Sequence, residues 1–139
     1  MKTVIVDADG LIALFSKDDA HAEKAIVLLQ KLVWEEAKIL YPATAIAEAT
    51  TTLQRKLNKP HLAAQIAELI KENKFPIEPV SEDTLNTAVQ YFKPVESSKH
   101  NTLFDALVAA VAKKNNADAI FSFDEWYQKL GFKLVTSLT

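Results

Sequence analysis

The chain of 139 residues contains no cysteine. Disulfides, thiolate metal sites and cysteine nucleophiles are therefore excluded. Glycine is almost as scarce, with only Gly10 and Gly131. Two glycines so far apart cannot build a Gly-rich loop around a phosphate. No apolar stretch approaches a membrane span. The few apolar residues between Met1-Lys2-Thr3 and Asp7 are too short a run for a signal peptide's hydrophobic core. The expected location is a reducing cytoplasm, with no membrane partner. Neither sign of charge is in large excess: Lys and Arg number 16, Asp and Glu 18, for a net charge of −2. Such a chain does not hold nucleic acid by bulk electrostatics. A nucleic-acid substrate would need bound cations or a local basic patch.

What is present reads as one globular domain, residues 1–139. Hydrophobic residues make up 49% of the chain and charged residues 24%, an ordinary balance for a soluble fold. Short β-branched or apolar runs alternate with amphipathic segments. Strands are expected at Lys2 to Val6, Lys38 to Tyr41, Ala119 to Phe123 and Phe132 to Val135, with a proline-bounded edge strand at Pro76 to Val80. Helices are expected from Leu11, over Ala20 to Ala37, Thr44 to Leu57, after Pro60, and from Ser81 to Phe92. Further helices are expected from Asn101 or Thr102 to Asn115 and from Glu125 to Leu130. Such alternation predicts an α/β fold with a central parallel sheet covered on both faces.

Parallel topology places every strand's carboxyl end at one edge, where α/β sites are built. Asp7 ends the first strand, and Asp124 follows the strand Ala119 to Phe123. Glu48 lies early in the helix after Lys38 to Tyr41. Asp105 lies in the first turn of the helix that leads into Ala119. Each has a plain structural reading as well. Asp105 suits a helix N-terminus, Glu48 a solvated helix face, and Asp124 a cap. Asp9, ahead of Leu11-Ile12-Ala13-Leu14, fits an N-cap or a ligand equally well. Four carboxylates converging on one edge repel one another unless a cation compensates. With no His or Cys among them, Mg²⁺ or Mn²⁺ suits the set better than Zn²⁺. Such a site activates water and stabilises charge on a phosphodiester.

These motifs resemble the PIN domain family and, within it, the VapC-type toxin ribonucleases. The resemblance spans nearly the whole chain. It rests on Val4-Ile5-Val6-Asp7-Ala8-Asp9, Thr44-Ala45-Ile46-Ala47-Glu48, Asp105-Ala106 opening an Ala-rich helix, and Ser122-Phe123-Asp124 followed by Trp126 and Leu130-Gly131. The resemblance implies a three-layer α/β/α sandwich and Mg²⁺- or Mn²⁺-dependent cleavage of RNA. It makes Asp7, Glu48, Asp105 and Asp124 the catalytic, metal-binding acids, with Asp9, Thr44 and Ser122 in support. It also implies a homodimer and an antitoxin partner. Asp7-Ala8-Asp9-Gly10 resembles, in addition, the nucleophile loop of haloacid dehalogenase-type phosphatases, in which Asp7 would attack phosphorus. Leu11 stands where that loop has Thr, and no later Gly-Asp pair exists. A catalytically inactive PIN-like scaffold is the non-enzymatic alternative.

Other residues read as packing or surface. His21 and His61 fall at helix starts. His100, with Lys99, falls in the polar segment before Asp105. Arg55, Lys56 and Lys59 cluster at a helix end. Trp126 and Tyr127 read as packing of the last short helix, although one ring stacking on a base is the functional alternative.

Overall fold

The run Thr3-Val4-Ile5-Val6 forms β1 (Thr3–Val6), with Val4, Ile5 and Val6 buried. A strand buried on both faces belongs inside a parallel sheet. In the computed structural model, which describes residues 1–96 and 101–138, β1 pairs with a parallel neighbour on each side. β2 (Lys38–Pro42) lies alongside it in the register Val4 to Ile39, and β4 (Ala119–Phe121) in the register Ile5 to Ile120. β3 (Ile77–Glu78) extends β2 in parallel and forms one edge, so the order is β3-β2-β1-β4.

Side chains alternate across β1, and two apolar layers follow. Val4 and Val6 face Leu11 of α1 (Ala8–Phe15), Leu32 of α2 (Ala22–Trp34), Ile46 of α3 (Ala43–Thr51) and Ile66 of α4 (Pro60–Lys71). Ile5 faces the other way, with Val108 and Val111 of α6 (Leu103–Lys114) and Tyr127 of α7 (Trp126–Lys129). α5 (Glu82–Tyr91) packs on α6 through Ala88 against Ala106, Leu107 and Ala110. The expected α/β/α layering is therefore realised. Among the described residues no helix is long and apolar enough to cross a membrane.

Several boundaries differ from expectation for identifiable reasons. α1 starts at Ala8 rather than Leu11, because Asp7 caps it: the Asp7 carboxylate accepts from Ala8 N and the Asp7 carbonyl from Leu11 N. Asp9 is thus inside the first turn and is not the cap. The helix expected over Thr44 to Leu57 changes pitch after Thr51. It continues as a π-helical turn (Thr52–Lys56), closed by Leu57 N donating to the Thr52 carbonyl. β4 ends at Phe121, two residues early, because Phe123 N donates to the Asp9 carboxylate instead of to a strand. The strand expected at Phe132 to Val135 is only a single bridge between Ile120 and Leu134. The chain then coils into a 3₁₀ turn (Val135–Ser137), with Ser137 N bonded to the Leu134 carbonyl.

Gly10 sits where α1 crosses the end of β4. A Cβ there would lie 2.5 Å from the Phe121 carbonyl oxygen and 2.6 Å from its ring. Backbone cannot yield as a flexible side chain can. Gly10→Ala is expected to destabilise the protein by about 1–3 kcal/mol through overpacking. The loss would be read as a lower urea midpoint; an unchanged midpoint would remove this account of the glycine.

Candidate metal centre

Three elements deliver three carboxylates to one place. β1 ends at Asp7, which doubles as the N-cap of α1. α3 starts directly after β2 and carries Glu48 within its first two turns. α6 presents Asp105 at its third position, where the acid also accepts from Thr102 N at 2.9 Å. Asp7, Glu48 and Asp105 each offer an oxygen, and these oxygens lie within 4.8 Å of one another. Together with Asp9, Thr52, Thr102 and Asp124 they line a cavity of about 200 Å³. A larger hollow of about 510 Å³ lies between α5 and α6, lined by Asp83, Gln90, Lys113 and Lys114. It gathers no comparable acid cluster, so chemistry rather than size selects the smaller cavity.

The remaining acids are committed to protein donors. Asp9 Oδ2 accepts from Phe123 N at 2.8 Å and from the Ser122 hydroxyl at 3.0 Å, while Oδ1 accepts from Gly10 N at 2.7 Å. Asp9 therefore latches the turn after β1 to the turn after β4. Asp124 lines the cavity but lies outside the close trio. Its Oδ1 accepts from Trp126 N and its Oδ2 from Asn101 Nδ2, both at 2.9 Å. The cap of α7 is Glu125 rather than Asp124, whose bond to Trp126 N closes the turn that leads into the helix. Ser122 joins the two turns: its Oγ accepts from Asp124 N at 3.1 Å and lies 3.3 Å from Asp7 Oδ2.

The trio is electrostatically strained. Burial, then the charges of Asp9 and Asp105, push the Asp7 carboxyl well above its usual range, while bonds from Tyr127 and Ala8 pull it back. Burial, then Asp105 and Asp9, raise Glu48 to about 7. Burial raises Asp105 too, opposed by the Thr102 bond. Burial likewise raises Asp9, opposed by its Phe123 and Ser122 bonds. Glu48 Oε1 and Thr44 Oγ1 are buried and find no hydrogen-bond partner among the described residues. An unpartnered buried carboxylate oxygen beside two other carboxylates is what a hard cation's oxygen ligand set provides. The residues therefore fit a divalent cation of the Mg²⁺ or Mn²⁺ type.

Of the acids expected at one sheet edge, the structure brings Asp7, Glu48 and Asp105 into direct proximity and Asp124 to the same cavity wall. Thr44 lies one turn before Glu48 on α3. Two polar contacts escaped the sequence reading. Tyr127, read as packing, is fully buried and also donates its hydroxyl to Asp7 Oδ2 at 2.7 Å. Asn101, read only as a possible helix cap, holds Asp124. No spacing rule links residue 127 to residue 7; only the parallel pairing of β1 and β4 brings them together. His21 is exposed, as expected, but its ring stacks on Phe123 at 4.1 Å. Lys59 is paired with Asp18 and Ser16. His100 and Lys99 lie outside the described residues.

The PIN domain family model matches residues 4–133. The fold is similar to that of VapC20 of Mycobacterium tuberculosis, a sarcin-ricin loop cleaving toxin. That match has 21% identity and a TM-score of 0.73, covering 93% of this chain and 95% of the other. It is also similar to FitAcB of Neisseria gonorrhoeae, at 16% identity and a TM-score of 0.67, covering 97% of this chain and 99% of the other. A third similar structure is FitAB bound to a DNA fragment, at 14% identity and a TM-score of 0.61, covering 98% and 97%. No curated protein sequence matches the chain.

The raised Glu48 carboxyl makes a prediction about stability. Its folded value of about 7 exceeds the ordinary 4.5, so the native state binds the proton more tightly than the unfolded chain. The stabilisation is full below the ordinary value and is lost as pH rises through about 7. In chelator the melting temperature should fall between about pH 5 and about pH 8. Glu48→Gln should recover part of the loss at the higher pH. Discounted for partial exposure, the recovery is on the order of 1 kcal/mol, or about 4 °C. A Glu48→Gln profile parallel to the parent's would show that Glu48 is not the titrating group.

Proposed function

The chain belongs to the PIN domain family, and from that premise and the geometry of its acids we propose a metal-dependent endoribonuclease that hydrolyses RNA phosphodiester bonds. The observation that carries the reading is the trio Asp7, Glu48 and Asp105, with ligand oxygens within 4.8 Å and one Glu48 oxygen without a partner among the described residues. These three would hold Mg²⁺ or Mn²⁺, with Asp124 completing the set across the cavity. A divalent cation bound there lowers the pKa of water and offsets the charge that builds on the phosphodiester. Asp9 and Ser122 hold the two turns that carry Asp7 and Asp124 in register. Thr44, one turn before Glu48 on α3, would support the site through its buried hydroxyl, which has no partner among the described residues. With a net charge of −2, the chain would attract RNA through a bound cation rather than through its overall field.

The likeness of the fold to VapC20, a toxin, supports a toxin role, and an antitoxin partner and a cytoplasmic location belong to the same proposal. A homodimer belongs to the same proposal. Exposed Val27, Val33 and Trp34 on α2 give such a partner apolar surface to cover. Light scattering is expected to give twice the protomer mass, and a protomer mass at working concentration would rule the homodimer out. The phosphatase reading finds no support in the site. Leu11 stands where the phosphatase loop has Thr, and no later Gly-Asp pair exists to complete that site. The inactive-scaffold reading conflicts with an intact acid set.

Asp7→Asn and Asp105→Asn test the reading without removing the fold, since the amide oxygen of Asn can still accept from Ala8 N or Thr102 N. Each is expected to lower cleavage of a single-stranded RNA by more than the ~100-fold that losing an outer partner of a metal ligand costs, with circular dichroism unchanged. Undiminished cleavage in excess chelator would overturn the mechanism.

A further inference from the structure

We propose that Tyr127 is a positioning residue of the acid centre: its buried hydroxyl holds the Asp7 carboxylate in the orientation that faces Glu48 and Asp105. The inference rests on the metal-site reading above. Tyr127 is completely buried, and its ring packs with Ile5, Val108, Ile120 and Leu134 on the α6 side of the sheet. Its hydroxyl alone reaches through to the sheet edge, 2.7 Å from Asp7 Oδ2.

The geometry makes this bond hard to replace. The terminal torsion of an aspartate is broad and roughly two-fold, so one anchor does not set the plane of the carboxylate. Ala8 N anchors Oδ1 at 2.7 Å, and Tyr127 anchors Oδ2. Ser122 is the other hydroxyl near Oδ2, at 3.3 Å. A hydroxyl has one proton, and the Ser122 Oγ lies closer to Asp9 Oδ2, at 3.0 Å. Asp9 therefore claims the Ser122 proton, and Tyr127 becomes the dedicated donor to Asp7. With one donor on each oxygen, each retains a lone pair for the cavity.

Tyr127→Phe removes the oxygen and keeps the ring. The measurement is calorimetric titration of Mn²⁺ into RNA-free parent and variant, with melts in chelator to verify folding. The expected result is a Kd for Mn²⁺ raised about 10- to 100-fold, with cleavage restored at saturating Mn²⁺ and the KM for RNA unchanged. A Mn²⁺ Kd equal to the parent's, or cleavage that excess Mn²⁺ does not restore, would overturn the role of Tyr127 alone. A parent that binds no Mn²⁺ would overturn the metal-site reading and the role of Tyr127 with it. Should the variant fail to fold, parent protein labelled with 3-fluorotyrosine serves instead. The fluorine resonance of Tyr127 is expected to shift on adding Mg²⁺, and a resonance that stays in place would overturn the proposal.

Discussion

The parallel pairing of β1 with strands on both sides is the constraint on which everything else rests. Thr3, Val4 and Ile5 register with β2, and Val4, Ile5 and Val6 with β4. That double pairing forces the turns after β1 and β4 to emerge side by side, and Asp7 N completes the junction by donating to the Phe121 carbonyl at 3.1 Å. Three elements far apart in sequence then open onto one edge. Without this pairing Asp7 and Asp105 would have no reason to meet, and burial of Val4, Ile5 and Val6 supplies the apolar driving force for it.

The acids at that edge differ in their protein donors. Asp9 accepts three protein hydrogen bonds and Asp124 two, and these hold the turns after β1 and β4. Glu48 has a buried oxygen with no partner among the described residues and a carboxyl raised to about 7. Asp7 has a donor on each oxygen and Asp105 accepts from Thr102 N, and each still places an oxygen in the close trio. A folded protein rarely keeps a buried acceptor unsatisfied. The deficit at Glu48 is therefore the local feature that a bound cation would remove.

Much of this was legible in the sequence, and the parts that were not share a cause. β1, β2 and the helix α6 follow from apolar patterning, and the convergence of Asp7, Glu48, Asp105 and Asp124 on one edge follows from parallel topology. What patterning could not reach were decisions made by single long-range hydrogen bonds. Asp9 presented an ambiguity between cap and ligand; the structure gives the cap to Asp7, and Asp9 accepts from Phe123 N while lining the same cavity as the trio. The same bond ends β4 early although Ser122 and Phe123 suit a strand. Tyr127 looked like packing because its ring is packing; only the hydroxyl, meeting a residue at the far end of the chain, has another use.

Gly10 connects these details. Because it has no side chain, α1 can lie against the Phe121 carbonyl at a distance a Cβ would forbid. That approach brings Asp9 within reach of Phe123 N and the Ser122 hydroxyl. Once Asp9 holds Ser122, the Ser122 oxygen is turned to accept from Asp124 N, and Asp124 Oδ1 accepts from Trp126 N at the start of α7. α7 in turn carries Tyr127, whose hydroxyl returns to Asp7, the residue three before Gly10. The hydrogen bonds form a closed circuit from the β1 turn to the β4 turn and back. A circuit of this kind orients each carboxylate by its neighbours rather than by its own rotamer preference. It explains why, in this Asp-x-Asp-Gly sequence, the first Asp joins the acid trio while the second works as its brace.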